Sequence, residues 1–440
     1  MTNAVRTISI VAVAAMTVVA SARAQSAMTD TTTRDFVVDH VHVILHQNTA
    51  NDVVAANIYL LGGTRQITEN TAGIEALMLA ASEDGTRKFS KQVLQGIIAR
   101  TGATITIEPS VDWTTFALRT LRQSFDSSWA VFADRLVAPR LEAADVERAR
   151  RQMLADALEA DADPDNAVQQ LAEQLLYANH PYRLNPDGTP TSLQALTASD
   201  IRRYHDTQVV QSRLLVVVVG NINVANLERA VRSSLTRLPV GSYTWTPPPL
   251  LTPSAERVSL LSRDLPTNYI LGYYPGPRAG TPDFTALRVA TAVLSGRLFA
   301  VVRSQLHLSY AVDAPLLDRA VSAGGLYVTT TDPTTTLNAM ANEVQRLQTT
   351  LVDPEGLQTL VGQFITDYFL KNETNGDQAS FLARTQLYDG DYRDAGQFVQ
   401  RLREVTPDDV RRVAEQYMHD MHFGFVGDTS KVPPILDSRF

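Results

Sequence analysis

The chain has 440 residues, which is too long for one ordinary domain and suits two or three. Hydrophobic residues make up 44% and charged residues 20%, as in soluble globular proteins. The formal net charge of -8 comes from interspersed acidic and basic residues, which argues against nucleic acid or an anionic membrane surface as the partner. Cysteine is absent, which excludes disulfides, cysteine zinc sites and a thiol nucleophile.

The first 24 residues have the three parts of a secretory signal peptide. Arg6 supplies a positive charge, residues 8–20 are apolar, and A-R-A at residues 22–24 is a cleavage site before Gln25. The alternative is a membrane anchor, but the apolar stretch is shorter than the roughly 20 residues that a spanning helix needs. No other segment is expected to span a bilayer. We therefore predict a secreted protein of a bacterial periplasm, without a membrane anchor.

Hydrophobic periodicity and turn residues predict strands and helices in alternation through the first half of the chain. The predicted elements are an opening strand pair at residues 37–45 and 53–61, a helix capped by Ser90 and ending at Gly102, strands at residues 103–108 and 113–118, and amphipathic helices at residues 129–136 and 145–159. This mixture predicts an α+β fold in which helices cover one face of a sheet.

The second half repeats the plan of the first with an offset of about 210 residues. In the first half, Thr197 opens a helix and is followed by an apolar strand that ends at Gly220. In the second half, Thr406 opens a helix and is followed by a strand that ends at Gly427. Each threonine has an aspartate three residues later and can cap its helix. The repeat indicates two similar domains.

A proline-rich stretch separates the two copies. Residues 239–253 contain five prolines, which forbid a helix and favour an extended linker. We therefore predict an N-terminal domain at residues 35–237, a linker at residues 238–254 and a C-terminal domain at residues 255–432.

Residues 73–86 read G-I-E-A-L-M-L-A-A-S-E-D-G-T, the frame of a short helix followed by a Gly-Thr turn. This segment resembles the zinc-binding segment of the pitrilysin/insulinase peptidases, where the helix carries an inverted H-x-x-E-H. In the family, the two histidines bind zinc and the glutamate activates water. Counted back from the Gly-Thr turn, these three positions fall on Ala76, Leu79 and Ala80. None of these side chains can bind zinc or accept a proton, so the resemblance implies a degenerate site.

Further segments carry the same resemblance over nearly the whole mature chain. They are Gly102-Ala103, D-W-T-T-F at residues 112–116, H-P-Y-R at residues 180–183, Thr267-Asn268, D-F-T-A-L at residues 283–287, G-R-L-F at residues 296–299, Arg303, and L-S-Y at residues 308–310. No one of these is specific alone, but their order on a duplicated frame indicates the family.

The resemblance implies two tandem homologous α/β-sandwich domains, which form half of a clamshell. In the two-chain branch of the family, which includes the mitochondrial processing peptidases, one chain carries zinc and the other donates an Arg/Tyr pair from its second domain. Arg303 and Tyr310 stand where that pair belongs. The resemblance thus implies the non-catalytic subunit of a heterodimeric zinc metalloendopeptidase, inactive alone and without a cofactor of its own. The partner would bear H-x-x-E-H and zinc, and the substrate would be a peptide or an unfolded protein.

Other interpretations stay open at this point. Arg303 can be a surface ion-pair residue and Tyr310 a core aromatic, in a structural or peptide-binding homologue with no role in catalysis. Zinc can lie elsewhere: Asp156 and Glu159 fall in the window of the family's third ligand, although a lone carboxylate does not hold zinc. His40, His42 and His46 are separated by even numbers of residues, share one face of an apparent strand, and form the best alternative metal cluster.

Overall fold

The computed structural model describes residues 32–438, which form two mixed β-sheets and the helices that cover them. The predicted signal peptide at residues 1–24 lies outside the described residues. The elements of the first half are β1 (Thr33–Val38), β2 (Val41–Gln47), β3 (Val53–Leu61), α1 (Ile74–Ala81), α2 (Lys91–Thr101), β4 (Thr104–Pro109), β5 (Trp113–Leu121), α3 (Phe125–Val137), α4 (Ala143–Ala162), α5 (Pro164–Leu176), α6 (Pro190–Ala195), α7 (Ala198–Gln208), β6 (Leu214–Gly220) and α8 (Val224–Ser234).

The second half begins after a segment without helix or strand, residues 239–257. Its elements are β7 (Val258–Ser262), β8 (Asn268–Arg278), α9 (Pro282–Leu298), which continues as a π-helix (Phe299–Gln305), β9 (Val312–Asp313), β10 (Leu316–Leu317), β11 (Val321–Thr330), α10 (Pro333–Thr349), α11 (Pro354–Lys371), α12 (Asn375–Tyr388), α13 (Phe398–Arg403), α14 (Pro407–Tyr417), β12 (His422–Gly427) and α15 (Ile435–Ser438).

The sheet topology repeats between the halves. The first sheet has the order β1-β2-β6-β3-β5-β4, and the second has β10-β11-β8-β12-β7. The order β2-β6-β3-β5-β4 therefore corresponds to β7-β12-β8-β11-β10. In both sheets the late strand, β6 or β12, is parallel to one neighbour and antiparallel to the other. The α+β fold with two similar halves is confirmed, whereas the exact domain boundaries at residues 237 and 255 remain a prediction.

Of the predicted opening strand pair, the second strand is confirmed as β3, Val53–Leu61, whereas the first strand and the pairing of the two are wrong. Residues 37–45 are not one strand but the two arms of a hairpin, β1 and β2, which turns at Asp39 with a φ of 55°. Nor do β2 and β3 pair, because β6 lies between them. Strand β6 reads L-L-V-V-V-V-G and is buried along its whole length. A continuously apolar strand gains most from a central position in the sheet, so it separates the two earlier strands.

The predicted helix boundaries follow from local capping chemistry. The Ser90 side chain accepts a hydrogen bond from the Val93 amide, and Gly102 ends α2 with a φ of 63°. Thr197 and Thr406 each form a capping box with the aspartate three residues later. The two amphipathic helices are longer than predicted and extend to Phe125–Val137 and Ala143–Ala162.

Replacing Thr406 by alanine is expected to lower the free energy of unfolding by about 1 kcal/mol. The Thr406 hydroxyl accepts from the Asp409 amide at 3.2 Å, while Asp409 Oδ2 accepts from the Thr406 amide at 3.1 Å. Alanine leaves the Asp409 amide without this acceptor. Urea unfolding of Thr406→Ala measures the loss, and Thr406→Ser, which keeps the hydroxyl, serves as the control. Equal losses in both variants would show that the cap contributes little.

One helix of each half packs on the sheet of the other half. Helix α5 of the first half packs on β7, β8 and β12 of the second sheet, and α12 of the second half packs on β3 and β6 of the first sheet. The two clusters that result join residues of both halves. One contains Val168, Ala172, Leu176, Leu271, Tyr273 and Val426, and the other contains Tyr59, Val217, Val219, Ala379 and Ala383. Neither sheet can therefore lose contact with the other half without exposing buried apolar surface.

Asp112 forms a buried polar contact between the halves. Its carboxylate accepts from the hydroxyls of Tyr182 at 2.5 Å and Tyr388 at 2.8 Å, and from the Ala320 amide at 3.0 Å. Asp112 is fully buried. Burial and the Asp112 carboxylate raise the pKa of Tyr182 above its ordinary value, so its hydroxyl stays protonated and donates. One carboxylate thus joins three donors from both halves.

The proline-rich segment is packed against both halves. The Trp245 indole N–H donates to the Leu387 carbonyl at 3.0 Å, and its ring centroid lies 6.2 Å from that of Trp113. His180 lies 3.1 Å through Nε2 from the Pro249 carbonyl, and its Nδ1 accepts from the Tyr182 amide at 3.2 Å. These partners fit a neutral ring with its proton on Nε2. Burial lowers the pKa of His180 below its ordinary value of 6.5.

We expect the lowered pKa of His180 to reduce the folding stability as the pH falls below about 6.5. The unfolded chain binds the proton at a higher pH than the folded chain does. The stabilisation is therefore complete above the unfolded pKa and is lost as the pH falls toward the lower folded pKa. His180→Asn keeps an acceptor for the Tyr182 amide but does not titrate. Thermal unfolding midpoints between about pH 7.5 and 5 should decline more steeply for the wild type; parallel curves would contradict this.

One helix of the described chain, Pro282–Gln305, is long and apolar enough to cross a membrane by length and composition, with a mean hydropathy of 1.5. This corrects the expectation that no segment beyond residue 24 passes such a test. Leu287, Leu294 and Leu298 of this helix are completely buried in the core of the second half. That burial is typical of the core helix of a folded domain.

Candidate functional site

Helix α1 is the segment that resembles the family's zinc-binding helix, and it lacks the ligands of that helix. It follows Gly73, which has a φ of 83°, and is succeeded by a turn at Gly85 with a φ of 144°. Ala76 and Leu79 are 4% and 0% exposed, and both face the interior of the first half, whereas Ala80 is half-buried. These three side chains offer no oxygen, nitrogen or sulfur to a metal. The residues present at α1 do not fit zinc.

Glu75 is the carboxylate on α1 that sequence reasoning overlooked. It is 5% exposed, lies 2.9 Å from the Arg213 guanidinium, and accepts from the Tyr204 hydroxyl at 2.8 Å. Burial opposes the charge of Arg213, but the Glu75 carboxylate more than offsets it and raises the pKa of Arg213. Burial and Glu75 raise the pKa of Tyr204 as well. Glu75 is therefore held in a structural ion pair, where it is not free to serve as a general base.

The alternative zinc ligands do not assemble. Asp156 and Glu159 are both exposed on α4. Among residues 32–438, no group of three or more His, Asp or Glu side chains is placed to hold a metal. A zinc site built from the chain's own residues is therefore not supported in this part of the protein.

The histidine cluster does not form because the predicted strand is a hairpin. His40 lies in the turn after β1. His42 contacts Asp35 at 2.6 Å, and His46 contacts the Thr33 hydroxyl at 2.8 Å, each across the hairpin. Both ring contacts are ordinary polar pairs within the sheet edge, so the metal interpretation of His40, His42 and His46 is wrong.

Arg303 and Tyr310 come together where α9 ends. The last seven residues of this helix, Phe299–Gln305, are a π-helix, a distortion that often marks functional sites. Arg303 Nη1 donates to the Tyr310 backbone carbonyl at 3.1 Å, and the guanidinium carbon lies 4.9 Å from the centroid of the Phe299 ring. Arg303 and Tyr310 therefore lie in one local site, and their catalytic role stays a prediction.

Tyr310 is 88% exposed, which is more than any other large apolar or aromatic side chain of the described chain. It is not a core aromatic. Arg303 is exposed too, and no carboxylate among residues 32–438 forms an ion pair with it. The guanidinium has five N–H donors, and the one seen hydrogen bond occupies one of them. Most of its donors, and the Tyr310 hydroxyl, are thus available to a molecule outside the chain.

The pair can stabilise negative charge but cannot start a hydrolysis. Arginine stays protonated at any ordinary pH and offers a rigid fork of donors, and a phenol donates one more hydrogen bond. Neither group is a base or a nucleophile at neutral pH. The chemical capacity of this site is the binding of an oxyanion or a peptide carbonyl.

Family models match both halves of the chain. The model described as "Insulinase (Peptidase family M16)" matches residues 42–188, and the model described as "Peptidase M16 inactive domain" matches residues 195–364. The match to the first model begins at β2 and ends before α6, and the second extends from α6 into α11.

Curated relatives include proteins named as proteases and one named as a non-peptidase. An uncharacterized zinc protease of Streptomyces coelicolor is 24% identical over 349 residues, which are 76% of this chain and 76% of that protein. The non-peptidase homolog YmxG of Helicobacter pylori is 22% identical over 62% of this chain and 64% of its own length. The zinc protease PqqE of the same species is 21% identical over 84% of this chain and 86% of its own length.

Solved structures share the fold at low sequence identity. A peptidase M16 inactive domain from Pseudomonas fluorescens superposes with a TM-score of 0.82 at 17% identity, over 91% of this chain and 99% of that chain. A chain of Complex III2 from Candida albicans gives a TM-score of 0.78 at 16% identity, over 92% and 98%. The fold, the two family matches and the degenerate α1 lead to one conclusion: the chain belongs to the insulinase (M16) peptidase family, as a member without zinc-binding residues on α1.

Proposed function

We propose that the chain is the non-catalytic subunit of a heterodimeric zinc metalloendopeptidase, and that it donates Arg303 and Tyr310 to substrate bound at the partner's zinc. The observation that carries the proposal is the exposure of these two donors in a chain whose own α1 has no ligands. A partner with H-x-x-E-H would supply the metal, the activated water and the base. This chain would supply half of the chamber and the two donors.

The donors suit the charge that develops during peptide hydrolysis. A carbonyl oxygen becomes an oxyanion as water adds, and preorganised donors bind that oxyanion more tightly than the carbonyl. Arg303 is preorganised by its hydrogen bond to the Tyr310 carbonyl and by contact with the Phe299 ring. These contacts restrict the guanidinium before substrate arrives, so less conformational entropy is lost on binding.

The named relatives support a pair of unlike chains. Two proteins of one species, Helicobacter pylori, match this chain, one named a zinc protease and the other a non-peptidase homolog. A species that holds both kinds of chain has the components that the proposal requires.

An edge strand supports peptides as the substrate class. Strand β4 pairs with β5 on one side only, and its residues alternate between exposed and half-buried. Such an edge can bind an extended peptide through backbone hydrogen bonds, which give affinity for many sequences. The closed chamber of the proposed pair would exclude folded proteins, so peptides and unfolded segments remain.

A second candidate function is that of a structural or peptide-binding homologue with no part in catalysis. The superposition on a chain of Complex III2 favours this alternative, because it shows the same fold within a large assembly. The two candidates differ in one property: only the first requires Arg303 and Tyr310 to act on a substrate.

Isolation of the chain from its own cells tests the proposed assembly and the proposed periplasmic location together. We expect a tagged chain in the periplasmic fraction, cut before Gln25 by intact mass, and bound to an equal amount of an H-x-x-E-H protein. Recovery in the cytoplasm, or as a chain without such a partner, would contradict the proposal. Crosslinking before lysis should preserve a complex that assembles only transiently.

A further inference from the structure

The loop that carries Tyr310, residues 306–311, is held by backbone hydrogen bonds, by the Ser309 hydroxyl and by the packing of Leu308 against the core of the second half. The Leu308 amide donates to the Val302 carbonyl at 2.9 Å, and the Thr329 amide donates to the Ala311 carbonyl at 3.0 Å. Ser309 forms a local turn in which its hydroxyl contacts both the amide and the carbonyl of Ala311. Because the Tyr310 side chain is almost fully exposed, the contacts of the loop set the direction in which it leaves the backbone.

A buried threonine supplies one of the anchors. Thr330, the last residue of β11, is 2% exposed, and its hydroxyl donates to the Leu308 carbonyl at 3.1 Å. The same hydroxyl accepts from the Asp332 amide at 3.1 Å and lies 2.9 Å from the hydroxyl of Thr336, which is fully buried in α10. Thr336 in turn donates to the Asp332 carbonyl at 2.7 Å. The hydroxyl of Thr330 thus links the loop to the β11–α10 corner.

We propose that Thr330 is a positioning residue that holds Tyr310 in the direction needed for its donor role. The inference rests on the proposed function above. Thr330 touches neither Tyr310 nor, on this proposal, the substrate; it fixes the carbonyl two residues before Tyr310, while Arg303 fixes the carbonyl of Tyr310 itself. With a carbonyl held on each side, the backbone at Tyr310 cannot rotate without breaking a hydrogen bond.

Valine has nearly the shape of threonine but no hydroxyl. Thr330→Val leaves the Leu308 carbonyl without its donor and the Asp332 amide without its acceptor, in a site that excludes water. The loop is then expected to sample other conformations. A donor displaced by about 1 Å can cost on the order of 100-fold in rate. Thr330→Ser restores the hydroxyl and should restore the loop.

Two measurements test the proposal, the first on the isolated chain. Hydrogen–deuterium exchange of the peptide that contains residues 306–311 should speed up in Thr330→Val and remain slow in Thr330→Ser. The matched control is Thr385→Val in α12, another buried threonine, whose hydroxyl donates to the Phe381 carbonyl at 2.9 Å. It should leave this loop unchanged. Unaltered exchange in Thr330→Val would overturn the inference whether or not the pair is active.

The second measurement is steady-state cleavage by the assembled pair. Thr330→Val should lower kcat by about 10- to 100-fold with little change in KM, and Thr330→Ser should recover it. In a Tyr310→Phe background, Thr330→Val should cost little more, because both changes act on the same donor. A full additional loss in that background would show a general structural role and refute the positioning role. An inactive wild-type pair would contradict the proposed function instead.

Discussion

Replacement of Tyr310 by phenylalanine is expected to lower the kcat of the assembled pair by about 100- to 1000-fold, which corresponds to the loss of one oxyanion donor. The hydroxyl acts on charge that exists only in the transition state, so kcat should fall much more than KM rises. The folding stability should not change, because the ring is 88% exposed and its hydroxyl makes no contact that supports the fold of the described chain. Steady-state kinetics and urea unfolding on the same samples separate the two effects.

Arg303→Ala is expected to have an effect at least as large, because it removes the charged donor and also the hydrogen bond to the Tyr310 carbonyl. Two variants serve as controls. Arg100→Ala removes an exposed arginine at the end of α2, and Tyr368→Phe removes a hydroxyl from the aromatic cluster of α11. Both should keep wild-type kcat. If Tyr310→Phe and Arg303→Ala also keep it, the pair has no catalytic role and the structural homologue becomes the better interpretation.

Asp112→Ala is expected to destabilise the fold by about 3–5 kcal/mol, a large effect for a single substitution. The substitution leaves the hydroxyls of Tyr182 and Tyr388 and the amide of Ala320 without their common acceptor. Each unpaired buried donor costs about 1–3 kcal/mol, and relaxation recovers part of the sum. Because the donors come from both halves, the unfolding transition should also broaden as the halves become less tightly coupled.

Equilibrium urea unfolding measures both effects, through the free energy and through its denaturant dependence. Asp112→Asn is the informative comparison: it keeps the size of the side chain but points an amide donor at other donors, so it should also destabilise. Asp367→Ala, an exposed position on α11, should stay within about 0.5 kcal/mol of wild type. If Asp112→Ala also stays within about 0.5 kcal/mol of wild type, the polar contact between the halves adds no stability.

The sequence predicted correctly those parts of the fold that depend on contacts between residues close together in the chain. Ser90, Thr197 and Thr406 cap helices because their hydroxyls reach the amides three residues ahead. The late apolar strand of each half ends at a glycine with positive φ, as its sequence indicates. The position of β6 between β2 and β3 was not predictable in this way, because its partners lie more than 150 residues earlier in the chain and only tertiary packing selects them.

The same distinction between local sequence and distant contacts applies to the candidate site. The resemblance to the family identified Arg303 and Tyr310 and the degenerate positions Ala76, Leu79 and Ala80, since these occupy ordered positions along a recognisable frame. It did not reveal the ion pair of Glu75, whose partner Arg213 lies 138 residues away. It did not reveal Thr330 either, which reaches the loop over 22 residues. Arg213 directly precedes the buried strand β6, and this position indicates a buried partner. The sequence does not identify which residue that partner is.

The most direct test of the central claim mixes the chain, without its first 24 residues, with the H-x-x-E-H protein from the same cells. Cleavage of a quenched fluorescent peptide is measured for the mixture and for each chain alone, with the zinc content of each chain determined in parallel. The proposal predicts activity only in the mixture and zinc only in the partner. Cleavage or stoichiometric zinc in this chain alone would contradict it.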